Sequence, residues 1–220
     1  MPLDHLVLLA ASLDEGVAWC ESTLGLTPGP GGRHPLMGTH NRLFSIASIA
    51  FPLAYFEIIA IDPAAPAPGR QRWFDMDDTA LQERVRRDGP QLVHWVARVD
   101  DARAAVAALQ AQGIDRGEAI DAARPAPQGL LQWQITVRAD GQRLFDGALP
   151  TLIQWGAVHP AAAMPASGAT LLSLRLQHPR ASALAAALAA IGLAEVVVEP
   201  GPARLQAQLL TPRGLIAISS

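Results

Sequence analysis

Apolar residues fall into two alternating patterns along this chain: short runs of strand-like spacing, and longer alanine-rich stretches with helical spacing. Residues 2–10 predict a strand. Leu13 to Leu24 predicts a helix, with Ser12 and Glu15 as N-cap and N3 of a capping box and Gly25 as its stop. The segment TPGPGGRHPLMG is too rich in Pro and Gly for a helix and predicts a loop with at most a short edge strand. Strands follow over 40–48 and 53–61, separated by the strand breaker Pro52. A linker over 62–90 carries a short polar helix from Asp77 to Arg87. LVHWVARV then predicts a strand, Asp101 to Gln112 a helix, and 114–121, 130–138 and 150–156 further strands. After the linker HPAAAMPASG, strands over 169–177, 195–199, 203–211 and 214–219 surround a helix from Pro179 to Ile191, proline being acceptable in its first turn.

The pattern recurs three times, as HLVLLAASLDEGVAWCESTLGL from His5, HWVARVDDARAAVAALQAQGI from His94 and SLRLQHPRASALAAALAAIGL from Ser173. His94 to Gly113 and Ser173 to Gly192 each span 19 positions, and His5 to Gly25 spans 20. Such a period implies one supersecondary unit reused. A single strand–helix–strands unit cannot cover both faces of its sheet, so the copies must pair around a shared core or cleft. The class is α+β, with units over 1–62, 91–158 and 167–220 and a linker over 63–90.

Composition narrows the function. With 220 residues, half of them hydrophobic, the chain can bury a sizeable core. Its net charge is −3 and its 17 basic residues are all arginine, which gives no basic excess for nucleic acid or anionic lipid; the missing lysine is read as compositional bias. One cysteine, Cys20, excludes an internal disulfide framework and a cysteine-rich zinc site, and is expected to be buried in the first helix. MPLDHLVLLAAS lacks a basic n-region and no stretch is long enough to span a membrane, so a cytoplasmic protein is expected. GPGGRH is no dinucleotide fingerprint, and neither a nucleophile elbow nor a Walker-type loop occurs.

Strand alternation puts His5 with Leu3, Val7 and Leu9, Glu57 with Tyr55 and Ile59, His94 with Leu92, Val96 and Arg98, and Gln154 with Leu152 and Gly156. An ionised carboxylate on an apolar face is costly unless paired or bound to a cation, and two imidazoles with one carboxylate suit a borderline divalent ion.

This arrangement resembles the vicinal oxygen chelate superfamily, which includes glyoxalase I, extradiol dioxygenases and bleomycin-resistance proteins. The stretches GGRHPLMGTHNRLFSI, YFEIIAIDP and LPTLIQWG resemble the glyoxalase-like domain proteins in particular. The resemblance spans roughly residues 3–158. It implies paired βαβββ modules that form a curved mixed sheet around a cup, with a third βαβββ-like unit at the C-terminus. It further implies His5, Glu57, His94 and Gln154 as ligands of a divalent Fe, Mn, Ni, Zn or Co ion, with Glu57 as ligand or base. Gln154 departs from the glutamate that moves a proton in glyoxalase I, because an amide cannot accept that proton at neutral pH. Ser173 replaces histidine in the third unit, which is expected to be structural, packed on the other two or on a second subunit of a homodimer.

Further expectations concern single residues. His40 and Asn41 are substrate-binding candidates from the loop-to-strand motif, and Arg98 is a clamp for an anionic group. His34 is expected to belong to the loop, His159 and His178 to face solvent, and Trp73, Trp95, Trp133 and Trp155 to pack. The function implied is a metal-dependent enzyme, of lyase, isomerase or dioxygenase type, acting on a small substrate that chelates the ion through adjacent oxygens. The alternative is a metal-free binding or sequestration module using the same cup, and a scaffold role is the third possibility.

Overall fold

In the computed structural model, which describes residues 2–126 and 129–220, the first two units join edge to edge in one curled eight-stranded sheet. Unit one supplies β1 (Leu3–Leu9), α1 (Leu13–Thr23), β2 (Arg33–His34), β3 (Thr39–Ser45) and β4 (Tyr55–Ile61). Helix α2 (Thr79–Asp88) lies in the connection. Unit two supplies β5 (Gln91–Arg98), α3 (Ala102–Gln110), β6 (Glu118–Ala126), β7 (Gly129–Val137) and β8 (Thr151–Trp155). The strand order is β2-β3-β4-β1-β5-β8-β7-β6. In each unit the opening strand runs parallel to the closing one, β1 with β4 and β5 with β8, and the antiparallel pair β1–β5 joins the halves.

Both opening strands therefore sit at the centre of the sheet with two covered faces. All seven residues of β1 are buried, which is why LDHLVLL reads as a nearly continuous apolar run. Leu6, Leu8, Phe56, Ile58, Trp95 and Leu152 pack against α1, α3 and the third unit, whereas Val7, Leu9, Ile59, Val93, Val96 and Ile153 line the concave side. Alternation fails at the start of β1. Leu3 pairs with Ala97 but His5 with the adjacent Val96, a bulge that leaves Leu3 on the helix side and turns His5 to the concave side. The expected shared face of Leu3 and His5 is corrected by that irregularity.

The third unit keeps the element order but not the wiring. Its β9 (Thr170–His178), α4 (Ala181–Ala190), β10 (Val198–Pro200), β11 (Arg204–Thr211) and β12 (Gly214–Ser219) form a separate sheet ordered β10-β9-β11-β12. Here the parallel partner of the opening strand is the first strand after the helix. Leu171, Leu176, Leu184 and Leu205 join Leu6, Leu24 and Leu109 in one apolar cluster, and the Leu171 N–H donates to the Ile46 carbonyl at 2.9 Å.

Helix caps follow the sequence. The Ser12 hydroxyl accepts from the Glu15 N–H at 3.1 Å, and Glu15 reaches back to the Ala11 N–H at 3.0 Å. The polar helix begins at Thr79 because the Asp78 carboxylate caps it through the Leu81 N–H. Cys20 is fully buried, and burial pushes its thiol up to about 12. His178 does not face solvent: it is buried and contacts Asp146 at 3.1 Å. No described helix is long and apolar enough to cross a membrane.

Candidate functional site

The bulge that reorients His5 also buries Asp4 completely. Asp4 accepts from His5 Nδ1 at 2.7 Å, from Trp155 Nε1 at 2.9 Å and from His159 Nε2 at 2.9 Å, with Arg98 Nη1 at 3.7 Å. The second nitrogen of His5 faces Glu57 Oε2 at 3.5 Å, and Tyr55 stacks on the imidazole at 4.6 Å. Glu57 Oε1 accepts from the Asn41 amide at 2.6 Å. Asn41 is aimed in turn by the Gly32 N–H on its Oδ1 at 2.7 Å. This approach requires Gly31, where a Cβ would collide with the Asn41 carbonyl.

Charge settles within this group. Burial alone would lower the His5 pKa, but the bonds and charges of Asp4 and Glu57 raise it to about 9, so the imidazole is an imidazolium at neutral pH. Burial pushes the Glu57 carboxyl up, yet His5 and Asn41 outweigh that and hold it below the usual carboxylate range. Asp4 likewise stays well below that range, with His159 and His5 overcoming desolvation. The result is a buried carboxylate–imidazolium–carboxylate line, Asp4–His5–Glu57. His34 borders it: burial pulls its pKa down to about 4, and its neutral ring meets Thr39 Oγ1 at 3.0 Å and the Asn41 amide at 3.4 Å.

His94 faces the same side of the sheet but is spent elsewhere. Its Nδ1 donates to the Gly147 carbonyl at 3.0 Å, and its Nε2 accepts from the Thr151 N–H at 3.0 Å. The left-handed backbone of Phe145, Asp146 and Gly147 supplies that carbonyl. Burial, with Arg116 and Arg143 nearby, drives its pKa well below 6.5 and keeps the ring neutral. Phe74 lies 5.1 Å from His94 and also lines the cavity beside His5.

Gln154 lies on the helix side of β8, where Ile153 and Trp155 are the residues turned inward. Its amide oxygen accepts the Ala102 N–H at 2.9 Å and thereby caps α3. His40 occupies the face of β3 opposite Asn41, with Nδ1 3.9 Å from Asp62. Arg98 braces Asp4 and does not line the cavity. His159, expected at the surface, turns inward to Asp4. Of the residues singled out from sequence, the structure thus brings together His5, Glu57 and Asn41, sets Arg98 behind Asp4 and outside the cavity, and places His94, Gln154 and His40 apart from them.

These side chains do not fit a divalent ion. Both His94 nitrogens and the Gln154 oxygen are engaged away from Glu57, and both His5 nitrogens face carboxylates. Among the described residues no group of three or more His, Cys, Asp or Glu has metal-holding geometry.

What the group encloses is a small cavity of about 40 Å³. Its polar lining is His5, His34, Asn41, Glu57 and Arg124; its aromatic lining is Tyr55, Trp73, Phe74, Trp133 and Trp155. The Trp73 indole N–H is buried with no partner among the described residues. Asp4, His34 and His159 were not marked as site residues by the sequence. The adjacent Asp4-His5 pair and the place of His34 in the GGRHPLMGTHN motif were the available signals, and the bulge that makes the first count is invisible to strict alternation.

The glyoxalase-like domain family profile matches residues 3–192. No curated protein matches the chain. A crystal structure of a hypothetical protein from Staphylococcus aureus is similar over 99% of this chain and 84% of its own, at 14% identity and a TM-score of 0.59. Methylmalonyl-CoA epimerase from Streptomyces coelicolor covers 71% of this chain and 99% of its own, at 16% identity and a TM-score of 0.44. The Mycobacterium tuberculosis epimerase covers 74% and 92%, at 18% identity and 0.41. With two units wired alike around one cavity and a profile match over most of its length, the chain belongs to the glyoxalase-like domain family.

Proposed function

We propose that the protein binds a small molecule without a resident metal, with a hydroxyl group of the ligand entering this cavity to be recognised by Glu57. The observation that carries this is the Asp4–His5–Glu57 line, in which an imidazolium supplies the positive charge that a cation would otherwise bring to the buried glutamate. Asn41 and His5 leave the Glu57 carboxylate with spare acceptor capacity, and the unpartnered Trp73 N–H offers a donor on the same lining. A hydroxyl can satisfy both; an ammonium, which accepts nothing, cannot.

Binding is favoured over proton abstraction by the same electrostatics. A carboxylate held below its usual range is a good acceptor and a weak base, and an imidazolium with a pKa of about 9 is no base at neutral pH. The metal-dependent enzyme reading would need His94 and Gln154 released from their present bonds.

Elemental analysis and native mass spectrometry of protein purified without a metal-affinity tag test this proposal. The expected result is a small molecule retained by the wild type and lost from Glu57→Gln, with transition metal far below one equivalent in both. Stoichiometric metal in the wild type that disappears in Glu57→Gln would restore the metal-dependent reading.

A further inference from the structure

The cavity beside Glu57 is too small to hold a whole ligand. At about 40 Å³ it admits about one or two non-hydrogen atoms, whereas an apolar cavity of ~150 Å³ holds benzene. The body of any molecule placing a hydroxyl there must lie outside. A cleft of about 890 Å³ adjoins the cavity and shares Leu43, Arg124 and Pro160 with its lining. Its volume is that of ordinary small-molecule sites. The walls are mainly apolar, including Leu26, Phe44, Leu131, Met164 and Pro165.

Arg124 stands where the two spaces meet. It lies opposite Leu131 on the β6–β7 hairpin and reaches across to the first unit, where its Nη1 occupies the place a Cβ on Gly32 would take. Among the described residues it forms no hydrogen bond or ion pair. An unpaired guanidinium between an apolar cleft and a polar pocket matches a carboxylate, which its planar fork binds through two parallel bonds.

We infer that the ligand is a hydroxy-carboxylic acid bearing an aliphatic chain: the chain lies in the cleft, the carboxylate pairs with Arg124, and the hydroxyl enters the cavity to Glu57. This rests on the Glu57 reading above and adds the two other contacts. A three-way junction follows from the shape, since one carbon must send its hydroxyl inward while chain and carboxylate remain at the mouth.

Isothermal titration of the full chain with 3-hydroxydodecanoate, dodecanoate, 3-hydroxybutyrate and the methyl ester of the first compound tests each contact. The long hydroxy acid is expected to bind at least tenfold more tightly than each of the other three. Arg124→Gln should remove the advantage over the ester, Glu57→Gln the advantage over dodecanoate, and Met164→Glu in the cleft wall part of the advantage over the short acid. Equal affinity for long and short hydroxy acids, both lost in Glu57→Gln, would overturn this inference and leave the Glu57 reading standing. A chain and Arg124 dependence unchanged by Glu57→Gln would overturn the Glu57 reading. No heat from any of the four probes at millimolar concentration overturns the inference outright, and circular dichroism of each variant separates lost binding from lost folding.

Discussion

His5 and His94 open equivalent strands of two units wired in the same way, and both are buried on the concave side, yet their chemistry is opposite. His5 sits between two carboxylates and carries a proton; His94 sits between a carbonyl and an amide N–H and is held neutral. The difference comes from neighbours. In unit one a bulge turns Asp4 inward and β4 presents Glu57, whereas in unit two the closing strand presents Thr151, Ile153 and Trp155 and turns Gln154 to the helices. A repeated position therefore fixes where a side chain starts, while the residues around it decide what it does.

Removing the carboxylate that distinguishes unit one should give the largest effect. Asp4→Ala leaves the His5 imidazolium, the Trp155 N–H and the His159 N–H without their shared acceptor, and breaking a buried ion pair from one side costs about 3–5 kcal/mol. Urea unfolding should show that loss, and a change below about 1 kcal/mol would mean the line is not formed.

A pH series sharpens the same contrast. The folded pKa of His5, about 9, lies above its ordinary 6.5, so its contribution is fully present below pH 6.5 and is lost as pH rises through 9. The loss amounts to roughly 3 kcal/mol, from ~1.4 kcal/mol per unit. In His5→Gln the unfolding midpoint should be nearly flat over that range. His34 and His94 act in the other direction, since their depressed pKa values give stability that is present above pH 6.5 and is lost as pH falls below it.

His94→Ala should cost about 2–3 kcal/mol, by emptying a packed site and leaving the Gly147 carbonyl and Thr151 N–H unpaired. Ligand retention in the Glu57 cavity should survive it, as native mass spectrometry would show. The smallest effect is expected from Gln154→Ala, about 1 kcal/mol for a lost helix cap, again with ligand retention unchanged. A loss of binding in this variant would bring the second unit back into the site.

The elements of this fold were legible because they rest on local signals. Ser12 and Glu15 marked the first helix, and the alanine-rich stretches and Gly25, Gly113 and Gly192 marked where helices end. The third unit showed what periodicity does not carry. Its order of elements matches the others, but β9 takes β10 as its parallel partner, and no pattern within a single strand encodes its neighbour. At the site, Glu57 and His5 were visible as polar groups on apolar strands. Gln154 was visible too, but not the side to which it turns, because whether a strand face meets helices or the cup is set by sheet curvature and packing. Asp4 and His159 depended on a one-residue bulge and on a loop turning back across the sheet.

NMR of the imidazole rings reads out whether Asp4, His5 and Glu57 form an ionised line beside a neutral, structural His94. In protein purified without a metal-affinity tag, ring ¹⁵N shifts followed from pH 6 to 10 should show His5 doubly protonated at neutral pH and titrating near 9, with His94 neutral and protonated at Nδ1 throughout. A neutral His5 at pH 7, with both rings shifting together when nickel or zinc is added, would contradict it.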